Sequence, residues 1–223
     1  MVKMVIFFKR KAGMSVEAFQ QHWRTTHAGL IVRLPGIRRY VQNHVLASIY
    51  RKGEPAFDAV AESSFDDTQA MKSLASSPQY AEVLADEANF IDRASMGSIL
   101  TDEHVIKDAA APAGAAKSID FVNRRAGMPI DEFRAYWREV HGPLCAALPA
   151  VLRYVQNATR RSIYDSGRTL AFDGVAMTWF ASADARRAAA STPEFERLRA
   201  DVDTFIARER SPGVLAQEHV ILA

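Results

Sequence analysis

Cysteine is nearly missing from this chain of 223 residues; Cys145 stands alone. A single thiol excludes an intramolecular disulfide and fits a reducing compartment. Net charge is also small, because 28 lysines and arginines face 26 aspartates and glutamates and leave +2. So weak a balance gives no field that would favour nucleic acid or anionic lipid, and neither partner is expected. The basic pairs Arg10-Lys11, Arg124-Arg125 and Arg160-Arg161 are dispersed and read as solvated turns. No apolar run reaches membrane-spanning length, and the strand-like start Val2 to Phe8 lacks the features of a signal peptide, so a cytoplasmic, soluble protein is expected.

Several reaction classes lack their signatures as well. There is no Gly-x-Gly-x-x-Gly turn, no Gly-Lys-Ser/Thr loop and no Gly-x-Ser-x-Gly elbow, which argues against nicotinamide, ATP and serine-hydrolase chemistry. His22 and His27 are five apart, and neither a His-x-x-x-His pair nor an acidic cluster with ligand spacing occurs, so no metal and no cofactor are expected.

What the chain does have is a repeat. Phe7 recurs as Phe121, and the same spacing pairs Ala12-Gly13-Met14 with Ala126-Gly127-Met128, Trp23 with Trp137 and His27 with His141. Arg39-Tyr40-Val41-Gln42-Asn43 returns unchanged as Arg153 to Asn157. One insertion follows, after which Phe57-Asp58 matches Phe172-Asp173, and Glu103-His104-Val105-Ile106 matches Glu218 to Ile221. Self-similarity over this length means two copies of one domain. The alanine-rich stretch with Pro112 and Gly114 marks a linker, giving domains 1–108 and 117–223 joined by 109–116. Cys145 aligns with Ile31, so it reads as a small buried apolar group rather than a nucleophile.

Each copy reads as strand, helix, strand, strand, helix, strand. Lys3 to Lys9 and Lys117 to Asn123 are first strands; Ser15 as an N-cap and Pro129 in a first turn start the first helices. Val16, Phe19 and Trp23, with Ile130, Phe133 and Trp137, form apolar stripes at helical spacing. Strand two follows Pro35-Gly36, and strand three begins at Phe57 or Phe172. Ser77-Pro78 and Thr192-Pro193 restart the second helix, and Ile99 to Ile106 and Val214 to Ile221 are last strands. A βαββαβ unit is α+β and ferredoxin-like, with both helices on one side of an antiparallel sheet. The bare sheet faces of two such units are expected to pack face to face, as an intrachain dimeric α+β barrel enclosing a cavity.

The aromatic helix ending in His141-Gly142-Pro143-Leu144, the strand Arg39 to Asn43, the strand Asp58 to Glu62 and the terminal Glu103 to Ile106 together resemble EthD-like domains of the dimeric α+β barrel superfamily. The resemblance implies that fold, twice over. It leaves function open, since that superfamily includes cofactor-free monooxygenases, cyclases, isomerases, dehydratases and haem-handling proteins. Two departures stand out: Ala28-Gly29-Leu30 follows His27, and Met177 replaces the strand-three glutamate Glu62, so the halves are expected to be unequal.

Strand alternation assigns the candidate site. In strand three, Phe57, Ala59, Ala61 and Phe65 are expected to face the helices, leaving Asp58, Glu62, Asp173 and Trp179 toward the enclosed space. In strand one Val5 and Phe7 are given the helix side and Asp120 the cavity; in strand two Tyr40, Gln42 and His44, with Tyr154 and Gln156, are given the cavity. Glu62 and Asp120 are acid/base candidates, because burial raises a carboxyl's pKa toward neutrality. Their structural alternatives are ion pairs. His27 and His141, at the end of the aromatic stripe, can shuttle protons or serve as core residues. Tyr40, Gln42, His44, Asp58, Tyr154, Gln156, Asp173 and Trp179 are candidates for substrate contact, with Tyr and Gln able to orient a carbonyl. His104 and His219 are read as edge or helix-face residues. The expected function is cofactor-independent proton transfer, of lyase, cyclase or isomerase type, on a small aromatic or polyketide-like carbonyl compound. A non-catalytic binder of a hydrophobic metabolite and a cofactor-free monooxygenase are the alternatives. The chain is expected to act as a single-chain pseudo-dimer or as a homodimer of it.

Overall fold

The computed structural model of the protein describes residues 1–167 and 170–223. They divide into two compact units, Met1–Thr101 with Glu218–Ala223, and Asp102–Gln217. The exchange of tails is a finding the repeat did not announce: the ends of the two last strands are counted with the opposite unit from the one their sequence copy implies.

Unit 1 begins with β1 (Val2–Arg10) and turns at Gly13, whose φ of 82° is left-handed backbone that suits glycine. Ser15 caps α1 (Val16–His22) by accepting from the Ala18 amide. The helix widens into a π-helical turn, Trp23–His27, and resumes as α2 (Ala28–Ile31). Then come β2 (Ile37–Val45), the short α3 (Ala47–Tyr50) and β3 (Ala59–Phe65). α4 (Thr68–Ser73) precedes α5 (Pro78–Phe90), which restarts at Ser77 with the hydroxyl accepting from the Tyr80 amide. α5 ends where Ile91 becomes extended, and β4 (Ile91–Lys107) runs on directly, longer than the sequence pattern implied. The sheet order is β2-β3-β1-β4, antiparallel throughout.

Unit 2 repeats the plan with β5 (Ala116–Val122), α6 (Ile130–Tyr136), a π-helical turn Trp137–His141, α7 (Gly142–Ala146), β6 (Arg153–Thr159), α8 (Arg161–Asp165), β7 (Gly174–Phe180), α9 (Ala183–Ala189), α10 (Pro193–Phe205) and β8 (Gly213–Leu222). Its sheet runs β6-β7-β5-β8, again antiparallel. Pro129 differs from expectation in detail: with ψ at 146° it is the cap residue, and the helix starts at Ile130.

In each unit the helices cover one sheet face. Phe8, Phe19, Trp23, Ala59, Ala61, Phe65 and Phe90 are buried together in unit 1, as are Phe133, Trp137, Ala176, Phe180 and Phe205 in unit 2. Burying each large side chain contributes about 1.5–3 kcal/mol, so these aromatic layers dominate the stability of each half. Ala59, Ala61 and Phe65 of strand three face the helices as expected, whereas Phe57 packs on Phe7 with ring centroids 4.6 Å apart, and two other strands are reversed. In β1 it is Met4, Ile6 and Phe8 that pack against the helices, and in β2 it is Tyr40, bonded to Trp23. Val5 pairs with Glu62, which pairs with Val41, placing all three on the other face. Tyr40, Gln42, His44, Asp120, Tyr154 and Gln156 therefore point between sheet and helices, not toward the opposite face. No helix among the described residues is long and apolar enough to cross a membrane.

Candidate active site

The widened helical turn explains the site. In a π-turn a carbonyl accepts from five residues on and is partly released from the ordinary helical ladder. Trp23 O accepts from the Ala28 amide and also from Gln42 Nε2 at 2.7 Å. Trp137 O does the same with Gly142 and with Gln156 Nε2 at 2.7 Å. Each glutamine is thereby oriented, and in unit 1 His44 Nε2 adds a contact to Gln42 Oε1 at 3.0 Å while its ring stacks on Trp23.

The tyrosine two residues earlier receives the remaining donors. Trp23 Nε1 donates to the Tyr40 hydroxyl at 3.1 Å, and Trp137 Nε1 to that of Tyr154 at 3.2 Å. Gln156 Nε2 donates to Tyr154 as well, at 3.2 Å, and Gln42 reaches Tyr40 at 3.5 Å. An oxygen that accepts from both neighbours keeps its own proton for a third partner. Burial pushes the Tyr40 phenol up to about 12 and that of Tyr154 well above 10, so both stay neutral donors.

The end of the same turn places the histidines. His27 Nδ1 lies 2.9 Å from Asp86 Oδ2, and His141 Nδ1 lies 2.7 Å from Asp201 Oδ2. The other oxygen of Asp86 contacts His22 Nε2 at 2.8 Å, whereas that of Asp201 accepts from the Tyr136 hydroxyl at 2.6 Å. Burial lowers the pKa of both His27 and His141 despite the carboxylates, so at neutral pH each imidazole is neutral. With Nδ1–H donated to the aspartate, the lone pair sits on Nε2.

Both constellations line cavities between sheet and helices. That of unit 1, about 350 Å³, is bounded by His27, Tyr40, Glu87 and apolar side chains such as Ile31, Phe65 and Val83. That of unit 2, about 210 Å³, is bounded by His141, Tyr154, Asp120 and a wall of Leu148, Phe180, Phe195, Leu198 and Phe205. Each holds one carboxyl whose pKa is raised by burial. In unit 1 it is Glu87, held by Arg93 at 3.1 Å; in unit 2 it is Asp120, held by the Ser118 hydroxyl at 2.8 Å. Asp120 also needs Gly213, where a Cβ would sit 2.4 Å from its Oδ1.

The structure brings His27 and Tyr40 to one cavity and His141, Tyr154 and Asp120 to the other, while Gln42, His44 and Gln156 support them from behind. It does not bring in the rest. Glu62 is on the opposite sheet face, paired with Lys3 Nζ at 2.6 Å and accepting from Asn43 Nδ2 at 3.0 Å. Asp58 is clamped by Arg10, through its amide and guanidinium, and by the Tyr50 hydroxyl at 2.7 Å; Asp173 is clamped identically by Arg124 and Tyr164. These are strand-end fasteners. Trp179 lies away from the helices beneath Lys117 and Arg153, whose cations sit 4.3 and 5.2 Å from its ring. His219 stands edge-on to His44, 4.6 Å between ring centroids, and the pKa of His104 is lowered by burial and by Arg138. Sequence reasoning passed over Asp86 and Asp201, although the repeat pairs them. Among the described residues no group of three or more His, Cys, Asp or Glu is placed to hold a metal ion.

The EthD domain matches this chain twice, at residues 11–94 and 125–209. The chain belongs to the EthD family. The two EthD matches cover both halves that carry the cavities, and no curated protein matches the chain. Among solved structures, an anthrone oxidase-like protein superposes with a TM-score of 0.66 at 10% identity, covering 99% of this chain and 93% of that one. An ethyl tert-butyl ether d (ethd) family protein from Bacillus halodurans is 22% identical, covers 47% of this chain and 99% of its own, and has a TM-score of 0.39. The first likeness shows the shared fold of a tandem α+β chain; activity does not follow from it.

Proposed function

We propose that this EthD protein moves protons on a small aromatic or polyketide-like carbonyl compound, without a cofactor, in the cavities between sheet and helices. The observation that carries the reading is the pairing, present in both halves, of a histidine bound through Nδ1 to a buried aspartate with a tyrosine whose oxygen accepts from the tryptophan and glutamine beside it. The ligand's carbonyl oxygen accepts from the Tyr40 or Tyr154 hydroxyl. Nε2 of His27 or His141 then takes a proton from the adjacent carbon, and the electron pair moves onto the carbonyl oxygen as an enolate. Asp86 or Asp201 stabilises the imidazolium that forms, and the imidazolium returns its proton to carbon or to a leaving oxygen. Glu87 and Asp120, whose carboxyl pKa values burial raises, are further groups that can exchange protons with the ligand. Apolar walls keep water out, which strengthens each of these interactions.

The test is solvent deuterium exchange into the methyl group of 2,4-dihydroxyacetophenone, followed by NMR. Acceleration by the protein that is lost in the double variant His27→Gln/His141→Gln supports the reading. Exchange that survives in that variant contradicts it, and binding of the ketone with no acceleration assigns the cavities to sequestration instead.

A further inference from the structure

The lining of the unit 2 cavity includes three arginines where the matching positions of unit 1 hold two apolar side chains and one arginine. Arg186, Arg199 and Arg208 line it, at positions that the repeat matches to Met71, Leu84 and Arg93. In unit 1 the single arginine is used internally, since Arg93 holds Glu87. In unit 2 the Glu87 position is Val202, so no internal carboxylate occupies that place. Arg208 turns instead to Asp203 and to the Arg199 carbonyl, and Arg199 reaches Glu196 at 3.3 Å.

Arg186 is different. It is half-buried, its guanidinium lies 5.6 Å from the centroid of the Phe195 ring, and among the described residues no carboxylate forms a salt bridge with it, although its charge acts at longer range on Asp120 in the same cavity. The nearest acid on its helix, Asp184, is taken by Arg187 at 3.0 Å. A planar cation stacked on a ring and fixed at the rim of an apolar pocket is suited to bidentate recognition of a carboxylate. Beneath it the pocket is aromatic, with Phe180, Phe195, Phe205 and Trp137 in its lining, and its volume of about 210 Å³ suits one ring rather than a nucleotide.

We propose that the unit 2 cavity takes a small aromatic acid whose carboxylate pairs with Arg186 while its ring lies against Phe195 and Phe205. This rests on the reading of the cavities as ligand sites given above and adds the class of ligand to one of them. The two halves then have different substrates: an anionic ring compound for unit 2 and an uncharged one for unit 1, where Met71 stands in place of the arginine.

Binding tests this apart from catalysis. With methyl-labelled full chain, 2,4-dihydroxybenzoate and the isosteric 2,4-dihydroxybenzamide are titrated while the resonances of Leu198 and Val202 report unit 2 and those of Ile31 and Val83 report unit 1. The acid is expected to shift the unit 2 reporters and to bind there roughly tenfold tighter than the amide. Arg186→Met should erase that preference, and Arg186→Lys, which keeps the charge and guards against a folding defect in the first variant, should retain part of it. Equal affinities in the wild type, a preference that persists in Arg186→Met, acid binding confined to unit 1, or no saturable binding at millimolar acid would each overturn the proposal. A preference for the acid with no deuterium exchange on the ketone would leave this assignment standing and remove only the catalytic reading.

Discussion

The two units share a scaffold and differ in what they hang on it. In both, a π-turn bridges an aromatic helix to a histidine, the indole and a glutamine grip the tyrosine, and an aspartate from the long second helix receives Nδ1. Around that shared frame the side chains have diverged: His22 against Tyr136 on the aspartate, Glu87 against Val202, Ile6 against Asp120, Ser98 against Gly213, His44 against Ala158. Positions that have drifted apart inside one chain, beside positions that have not, separate the frame from its contents without any alignment of relatives. The frame is the part suited to proton transfer. The contents set charge and shape.

The largest effect should come from breaking the frame in both halves together. His27→Gln with His141→Gln should lower exchange by about 100-fold or more, the range of a lost general base, whereas either single change should remove only the share of its own half. A rate assay on each single variant, using a ligand that one half prefers, would sharpen the comparison.

Next is the glycine that makes room for Asp120. Gly213→Ala places a methyl 2.4 Å from Oδ1 and must displace the carboxyl, at a cost of about 1–3 kcal/mol in unit 2 stability. Ser98→Ala at the matching position of unit 1 should leave melting unchanged, because a Cβ is already accommodated there. Equal effects at the two sites would mean that the Asp120 contact is not what distinguishes them.

Acid should separate the halves further. Burial, with His219 and Arg24 nearby, lowers the His44 pKa to about 3, and unit 2 has Ala158 in its place. A histidine with a depressed folded pKa contributes stability that is complete above the unfolded value near 6.5 and is lost as pH falls toward the folded one. His27 and His141 act in the same direction in both units. Unit 1 should thus lose amide protection first as pH drops from about 6.5 toward about 3. His44→Ala should narrow the gap in hydrogen exchange between the units.

The smallest effect concerns Glu87, whose pKa is raised by burial. An acid of this kind favours the folded state less once pH exceeds its folded pKa, so Glu87→Gln should stabilise unit 1 at neutral pH by up to about 1 kcal/mol, read as a higher Tm, and have no effect below pH 4.

The tandem arrangement and the caps at Ser15, Ser77 and Thr192 were legible in the sequence because they rest on local chemistry and on exact repetition. The faces of two strands were not. Lys3-Met4-Val5-Ile6-Phe7-Phe8 is apolar on both sides, so alternation carries no direction. In β2 the polar set Tyr40, Gln42 and His44 was given to the cavity face, yet its polarity is satisfied by Trp23 across the helix layer, which no periodicity reveals. Asp86 and Asp201 were not singled out in the sequence. Their repetition in both copies was the available signal, and only the fold shows that each meets a histidine some sixty positions away.

The proposed chemistry needs one state of both histidines: a neutral imidazole carrying its proton on Nδ1 and presenting Nε2 to the cavity. Nitrogen-15 NMR of the histidine rings at pH 7 reports this directly. His27 and His141 are expected to show a protonated Nδ1 and an unprotonated, pyridine-type Nε2 at pH 7; imidazolium rings at that pH, or the opposite tautomer, would contradict the proposed proton transfer.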